Sequence, residues 1–537
     1  MPRDSKGKSS SSPGSAASLA LSLVHSLSYP LALLSGILLA GSFPRFGQPA
    51  FGWIALTPLL VALAPLRRVV VVRRAFGLGF VAGLAYFAGT VYWTGATVRT
   101  FGGLSLPVSW LVAALLIAYL ALFPALFALT LAWIAGRLGS SALWLAPAIW
   151  VSTEVARTYF WSGFPWLLLG YSQTTVLSVA QVASLVGVFG LSGLVATVAT
   201  GLAHAVIVPG RRAWLVAAVP VAVVLALALW GNARIGAAAL TSSGKPLAIA
   251  LVQGNVLQNE KWDPARADAI LERYLSMTRD AARRGARLVI WPESATPFYY
   301  EEEPSGAERI RGVVRQTGVA LLFGSDQAEH GTPVRLYNSA FMLRPSGETA
   351  AVYRKMQLVP FGEYVPLKSL LFFVSPLVEA VADFSPGETM VRLPVDDGTI
   401  TTAICYEIVY PGLVRQAVQE GSQLLTTITN DAWYGYSSAP HQHFLQASMR
   451  AIEQGRYLAR AANTGISGIV DPYGHVLVRS NLFERAVLTG EVRLLSGLTV
   501  YGRIGDLFAY ACVALTLVAA GFAWTMRRST AARNRPN

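Results

Sequence analysis

Acidic residues are almost missing from the first half of this 537-residue chain: residues 1–250 contain only Asp4 and Glu154, against fifteen Lys and Arg. Carboxylates are costly in hydrocarbon, whereas Lys and Arg set the orientation of membrane loops, so this composition marks a membrane-embedded half. Charged residues are scarce overall, 13% against 53% hydrophobic, which excludes a disordered chain. The rest of the chain holds 28 Lys and Arg and 27 Asp and Glu, the balance of a water-soluble domain. The net charge of +14 therefore belongs almost wholly to the membrane half, and no nucleic-acid partner is expected. Cysteine is also scarce. Cys405 and Cys512 are too few for a disulfide framework.

Eight apolar stretches are long enough to approach the span of a bilayer, at residues 19–43, 50–66, 75–93, 107–135, 141–156, 177–208, 213–230 and 507–526. A cleaved signal peptide is a rival reading of the first, which holds His25 and Pro30, but the stretch is too long for one. The expected organisation is a disordered cytoplasmic leader at 1–15, a seven-helix membrane domain at 16–245, a soluble domain at 246–500, and an eighth helix with a basic cytoplasmic tail at 501–537. With the N-terminus inside, fourteen basic residues fall in inner segments, among them Arg68, Arg212 and Arg528, against Arg45, Arg99 and Arg157 outside. That asymmetry puts the soluble domain on the outer, periplasmic face of a bacterial inner membrane. Ser162-Gly163-Phe164-Pro165-Trp166 reads either as a re-entrant interfacial loop or as a simple aromatic-belt turn. Glu154, the one acid within a span, lies a turn from Arg157; an ion pair between them is one reading, and contact with substrate the other.

From Pro246 onward, short β-rich runs alternate with helical patterns, as in an α/β domain. Three segments place a reactive side chain just beyond an apolar strand. Glu293 follows Leu288-Val289-Ile290-Trp291-Pro292, where a partly desolvated carboxylate suits a general base. Lys355 opens a Pro-, Gly- and aromatic-rich loop, Lys355-Met356-Gln357-Leu358-Val359-Pro360-Phe361-Gly362-Glu363-Tyr364-Val365-Pro366. Cys405 ends a β-branched strand before a helical pattern, the arrangement of a nucleophile elbow. Cys512, in the middle of the last span, reads as an inert packing residue.

Together these segments resemble the carbon-nitrogen hydrolase (nitrilase) superfamily. With WPES at 291–294, ICYE at 404–407, NDAWYG at 430–435, GFPW at 163–166 and flanking membrane helices, the chain resembles its apolipoprotein N-acyltransferase family. The resemblance implies an αββα sandwich and a Glu293-Lys355-Cys405 triad, supported by Glu363, Tyr406 and Glu407. It also implies transfer of an acyl chain from a membrane phospholipid, through a Cys405 thioester, to the α-amine of a diacylglyceryl-cysteine on a lipoprotein. No metal or other cofactor is implied, and a monomer is expected. Trp262, Trp433, Asn430 and Glu154 are candidates for contact with substrate, and Asn430 and Asp431 open a loop expected over the site. Gln357 departs from the His found there in some members. Two rivals are a membrane-tethered amidase using water as acceptor, and a transporter with a ligand-binding domain. Small soluble amides give no reason for eight spans, and a single intramembrane acid argues against ion-coupled transport.

Overall fold

The computed structural model describes residues 27–64, 72–364 and 383–533, with side chains as far as residue 526. The leader at 1–15, the Arg67-Arg68 pair, the Val365-Pro366 end of the second motif and the side chains of Arg527 and Arg528 lie outside these limits.

Among the described residues, five helices are long and apolar enough to cross a membrane: Val72–Val91, Leu106–Leu138, Ala183–Ile207, Arg211–Ser242 and Leu507–Met526. Two of the eight stretches read from hydropathy, 50–66 and 141–156, form shorter helices, and the first is described only from residue 27. Ser28–Gly41 covers the described part of the first. Residues 50–66 split into Pro49–Ala55 and Thr57–Leu63, because Pro58 lacks an N–H and its ring disfavours continuation from the preceding turn. Residues 141–156 begin as a 3-10 turn, Ser140–Leu145, before the helix Ala146–Tyr159. Close packing joins the longer helices: a Cβ on Gly79 would lie 2.3 Å from the carbonyl oxygen of Pro124, and one on Gly83 would lie 2.7 Å from Cα of Ala121. Small residues let the two backbones approach where hydrocarbon supplies no hydrophobic drive.

The remainder of the chain builds two six-stranded sheets, ordered β12-β1-β2-β3-β4-β5 and β11-β10-β9-β8-β7-β6. The first comprises β1 Lys245–Gln253, β2 Leu288–Ile290, β3 Ala320–Glu329, β4 Arg335–Leu343, β5 Thr349–Arg354 and β12 Ala486–Leu494. The second comprises β6 Leu393–Val395, β7 Gly398–Ile404, β8 Leu425–Thr429, β9 Leu458–Ala462, β10 Gly468–Val470 and β11 Val476–Arg479. Each has three parallel strands, β1-β2-β3 and β7-β8-β9, flanked by antiparallel ones.

The two-residue period of a strand decides what each face meets. Leu247, Ile249, Leu251, Leu288 and Ile290 point between the sheets, against Ile400, Ile404, Ile428 and Ile469. Ala250, Val252, Val289 and Phe323 point outward, under the helices Pro264–Arg283 and Pro304–Thr317. The outer face of the second sheet carries Pro411–Gln419 and Ala439–Gln454, and there the core continues without a break into the membrane helices. The result is an αββα sandwich with one helical layer seated on the membrane half.

Ala439–Gln454 is the joint between the two halves. The Gln442 side-chain oxygen accepts from Trp166 Nε1 at 2.7 Å and Trp93 Nε1 at 3.3 Å, and its amide donates to the carbonyls of Pro44 and Thr90, both at 3.0 Å. Gln446 accepts from the Leu167 N–H at 3.2 Å. Further along, Gly187 interrupts the Ala183–Ile207 helix with φ +68°, and Glu453 accepts the Val188 N–H at 2.8 Å. A kink of this kind deprives the next N–H of its helical partner, and Glu453 supplies one.

Candidate active site

Glu293, Lys355 and Cys405 stand just past the ends of β2, β5 and β7, so three strands from both sheets aim them into one region. All three are buried. Lys355 Nζ lies 2.8 Å from Glu363 Oε1 and 3.4 Å from Glu293 Oε1. Asn338 Nδ2 donates to the same two oxygens, at 2.8 Å and 2.7 Å, and the Asn430 N–H donates to Glu293 Oε2 at 2.8 Å. Glu363 Oε2 also accepts the Val359 N–H at 2.8 Å, which folds the loop after Lys355 back onto its ammonium.

These contacts set the charge states. Burial alone would raise the Glu293 carboxyl, but the Lys355 ammonium, the Asn338 amide, Lys261 and the Asn430 N–H outweigh it and hold the group below the ordinary carboxylate range. Burial would lower Lys355, yet Glu363 and Glu293 hold it above its usual value. The Cys405 thiol is raised by burial first and by the Glu293 charge second, with Lys355 opposing. At neutral pH the site therefore pairs a carboxylate and an ammonium with a protonated thiol.

Cys405 is held in a left-handed backbone conformation, φ +53°, which costs a non-glycine residue about 1–2 kcal/mol. It forms a sharp strand-to-helix turn into the 3-10 helix Cys405–Val409. Glu407 ties this elbow to the Lys355 loop. Its Oε1 accepts from Tyr353 OH at 2.8 Å, the Met356 N–H at 2.7 Å and the Gln357 N–H at 3.1 Å, while Oε2 accepts the Ile404 N–H at 2.7 Å. Tyr406 stacks on Trp166 of the Gly163-Trp166 loop, ring centroids 6.3 Å apart. That loop is packed inside the protein, under Ala439–Gln454. Gln357 reaches the Ser162 carbonyl and Tyr410 OH, both at 3.4 Å, and so adds a second tie between the Lys355 loop and the membrane half.

The substrate-contact candidates separate. Asn430 joins the site through its backbone N–H, with its side chain bonded to Gln258 and Asn463. Trp262 and Trp433 stay partly open, at 44% and 39% exposure, beside Tyr299 and Phe101 respectively. Asp431 is no free loop residue: it is buried and bonded to Arg460 at 2.8 Å. Glu154 lies away from the cluster in its bonding, accepting from Leu169 N at 2.6 Å and Trp150 Nε1 at 3.0 Å. Among the described residues no ion pair joins it to Arg157, whose guanidinium donates instead to the carbonyls of Phe164, Trp166 and Leu167. The unsatisfied groups of the buried loop at 160–170 take both charges. Sequence reasoning passed over Asn338, His443 and Arg460, all buried around the cluster.

Residues 248–496 match the family model described as carbon-nitrogen hydrolase, and residues 35–201 match that of the apolipoprotein N-acyltransferase N-terminal domain. A solved amidase from Nesterenkonia sp. aligns with a TM-score of 0.38 at 23% identity, covering 50% of this chain and 97% of its own. The apolipoprotein N-acyltransferase of Methylococcus capsulatus is 36% identical, covering 93% of this chain and 96% of that protein. That of Geobacter metallireducens is 43% identical over 92% of this chain and 95% of its own length. With both halves matched in order and relatives of this similarity along nearly its whole length, the chain belongs to the apolipoprotein N-acyltransferase family.

Proposed function

We propose that this bacterial inner-membrane enzyme acylates lipoproteins in two steps through Cys405. In the first, Glu293 takes the thiol proton while the sulfur attacks the ester carbonyl of a membrane phospholipid. The charge passes to the carbonyl oxygen, beside the Lys355 ammonium. Collapse breaks the acyl C–O bond, Glu293 returns the proton to the departing lysophospholipid, and a thioester remains on Cys405. In the second, the free α-amine of an S-diacylglyceryl-cysteine attacks the thioester, Glu293 accepts the amine's proton, the C–S bond breaks, and the proton returns to sulfur. The product is an N-acylated lipoprotein.

The observation that carries this reading is the gathering of three buried groups: Lys355 Nζ, held 2.8 Å from Glu363 and 3.4 Å from Glu293, beside the Cys405 thiol, which burial keeps protonated. A thiol raised by burial gives up its proton as the C–S bond forms, so the negative charge develops on oxygen and not on an isolated sulfur. Lys355, fixed by Glu363, needs no rearrangement to meet it.

In this reading the sandwich faces the outer side of the membrane, the side chains of Trp262 and Trp433 line the path of the acyl chains, and the enzyme works as a monomer without metal or cofactor. Fourteen Lys and Arg on the segments that this orientation places inside, against Arg45, Arg99 and Arg157 outside, support it. Incubated with phospholipid and no acceptor, the enzyme should release one equivalent of lysophospholipid and stop, and a diacylglyceryl peptide should restore turnover. Continuous lysophospholipid release without acceptor would mean hydrolysis by water and would overturn the reading.

A further inference from the structure

We infer that His443 is a positioning residue for the Cys405 elbow, oriented by Arg460 and Asp431. The inference rests on Cys405 being the nucleophile. The His443 ring is wholly buried, with Nε2 at 3.1 Å from the carbonyl oxygen of Cys405. A carbonyl only accepts, so Nε2 carries the proton and donates. At the other edge of the ring Nδ1 meets Arg460 Nη2 at 3.0 Å and also lies 3.1 Å from Asp431 Oδ1. The second proton of the same Nη2 goes to Asp431 Oδ2 at 2.8 Å, and Thr429 Oγ1 donates to Asp431 Oδ1 at 2.9 Å. The ring is thus held at both nitrogens, Nε2 on the Cys405 carbonyl and Nδ1 between Arg460 and Asp431, which fixes the imidazole orientation.

The bond falls on the residue that most needs it. Cys405 sits at φ +53°, where a side chain other than glycine is strained, and an external donor on its carbonyl holds the peptide in that turn. The support behind His443 is equally confined: a Cβ on Gly465 would lie 2.2 Å from Asp431 Oδ2. On its other side the imidazole meets Trp166, ring centroids 5.6 Å apart, so the elbow, the NDAWYG segment and the membrane-half loop share one contact. Burial and the Arg460 charge lower the His443 pKa against the pull of Asp431, which favours the neutral ring.

The test compares His443→Gln, His443→Asn and His443→Ala in the full-length enzyme, reading two rates: acylation of Cys405 by phospholipid, and alkylation of Cys405 by iodoacetamide. A glutamine amide can occupy the Nε2 position, whereas an asparagine amide is one carbon too short. We expect Gln to stay within about tenfold of wild type in both rates, and Asn and Ala to lose on the order of 100-fold in acylation, the effect of misplacing a reacting atom by about 1 Å. Their alkylation rates should change as well. Asn equal to Gln, or Ala acylating like wild type, overturns the inference. Asn and Gln share polarity, so their contrast survives if Ala does not fold. Absence of an acyl group on wild-type Cys405 would remove the parent reading instead, and the alkylation series would still report the elbow.

Discussion

Lys355 lies closer to Glu363, at 2.8 Å, than to Glu293, at 3.4 Å. In the proposed mechanism the two carboxylates divide their work: Glu363 anchors the ammonium, and Glu293, steadied by Asn338 and Asn430, keeps its charge for the thiol proton.

Glu363→Gln keeps the shape and removes the anchoring charge. The account predicts Cys405 acylation slower by about 10- to 100-fold, the equivalent of one charged hydrogen bond of about 1.5–3 kcal/mol, with little change in substrate KM. Single-turnover release of lysophospholipid measures it, and an unchanged rate would show that Lys355 needs no second carboxylate.

Glu407 accepts four donors in the interior, from the ends of β5 and β7 and the loop after Lys355. Glu407→Ala strands three backbone N–H groups and the Tyr353 hydroxyl, at about 1–3 kcal/mol for each buried group left unpaired. Thermal unfolding in detergent should fall markedly, and Glu407→Gln, which retains one acceptor oxygen, should fall less. Equal Tm values for the two variants would count against this tie.

The thiol gives a pH signature. Cys405 is held above the ordinary thiol value of 9.0 by burial and by Glu293, with Lys355 working the other way. The thiolate fraction at pH 8 is then small, so iodoacetamide alkylation should keep rising past pH 9 with no plateau below it. Lys355→Met removes the one opposing charge and should slow alkylation further. Glu293 is held below the usual carboxylate range, so its protonation should not limit acylation between pH 6 and pH 8. A plateau near pH 7 would indicate a preformed thiolate and contradict the charge states argued above.

Glu293, Lys355 and Cys405 were legible in the sequence because each follows an apolar strand and interrupts what packing alone requires. The strands and helices of the sandwich were legible for a related reason, since changes of hydrophobic period mark them. The polar joint was not. Gln442, Gln446, Arg450 and Gln454 recur every four residues on one helix, the spacing of a solvated face. In the fold that face is buried against the membrane half, where Trp93, Trp166, Leu167 and Tyr171 supply partners for Gln442, Gln446 and Arg450. No local pattern distinguishes water from a second polar surface. The break at Pro58 within residues 50–66 was hidden on similar grounds, because hydropathy sums apolar side chains and takes no account of a missing N–H.

The central claim is that the acyl chain rests on Cys405 between donor and acceptor. Intact-protein and peptide mass spectrometry of enzyme incubated with phospholipid alone tests it most directly. The account predicts one added acyl mass on the Cys405 peptide, released by hydroxylamine or by a diacylglyceryl peptide, and no such mass in Cys405→Ser. An unmodified Cys405 in enzyme that transfers acyl chains at its full rate would contradict it.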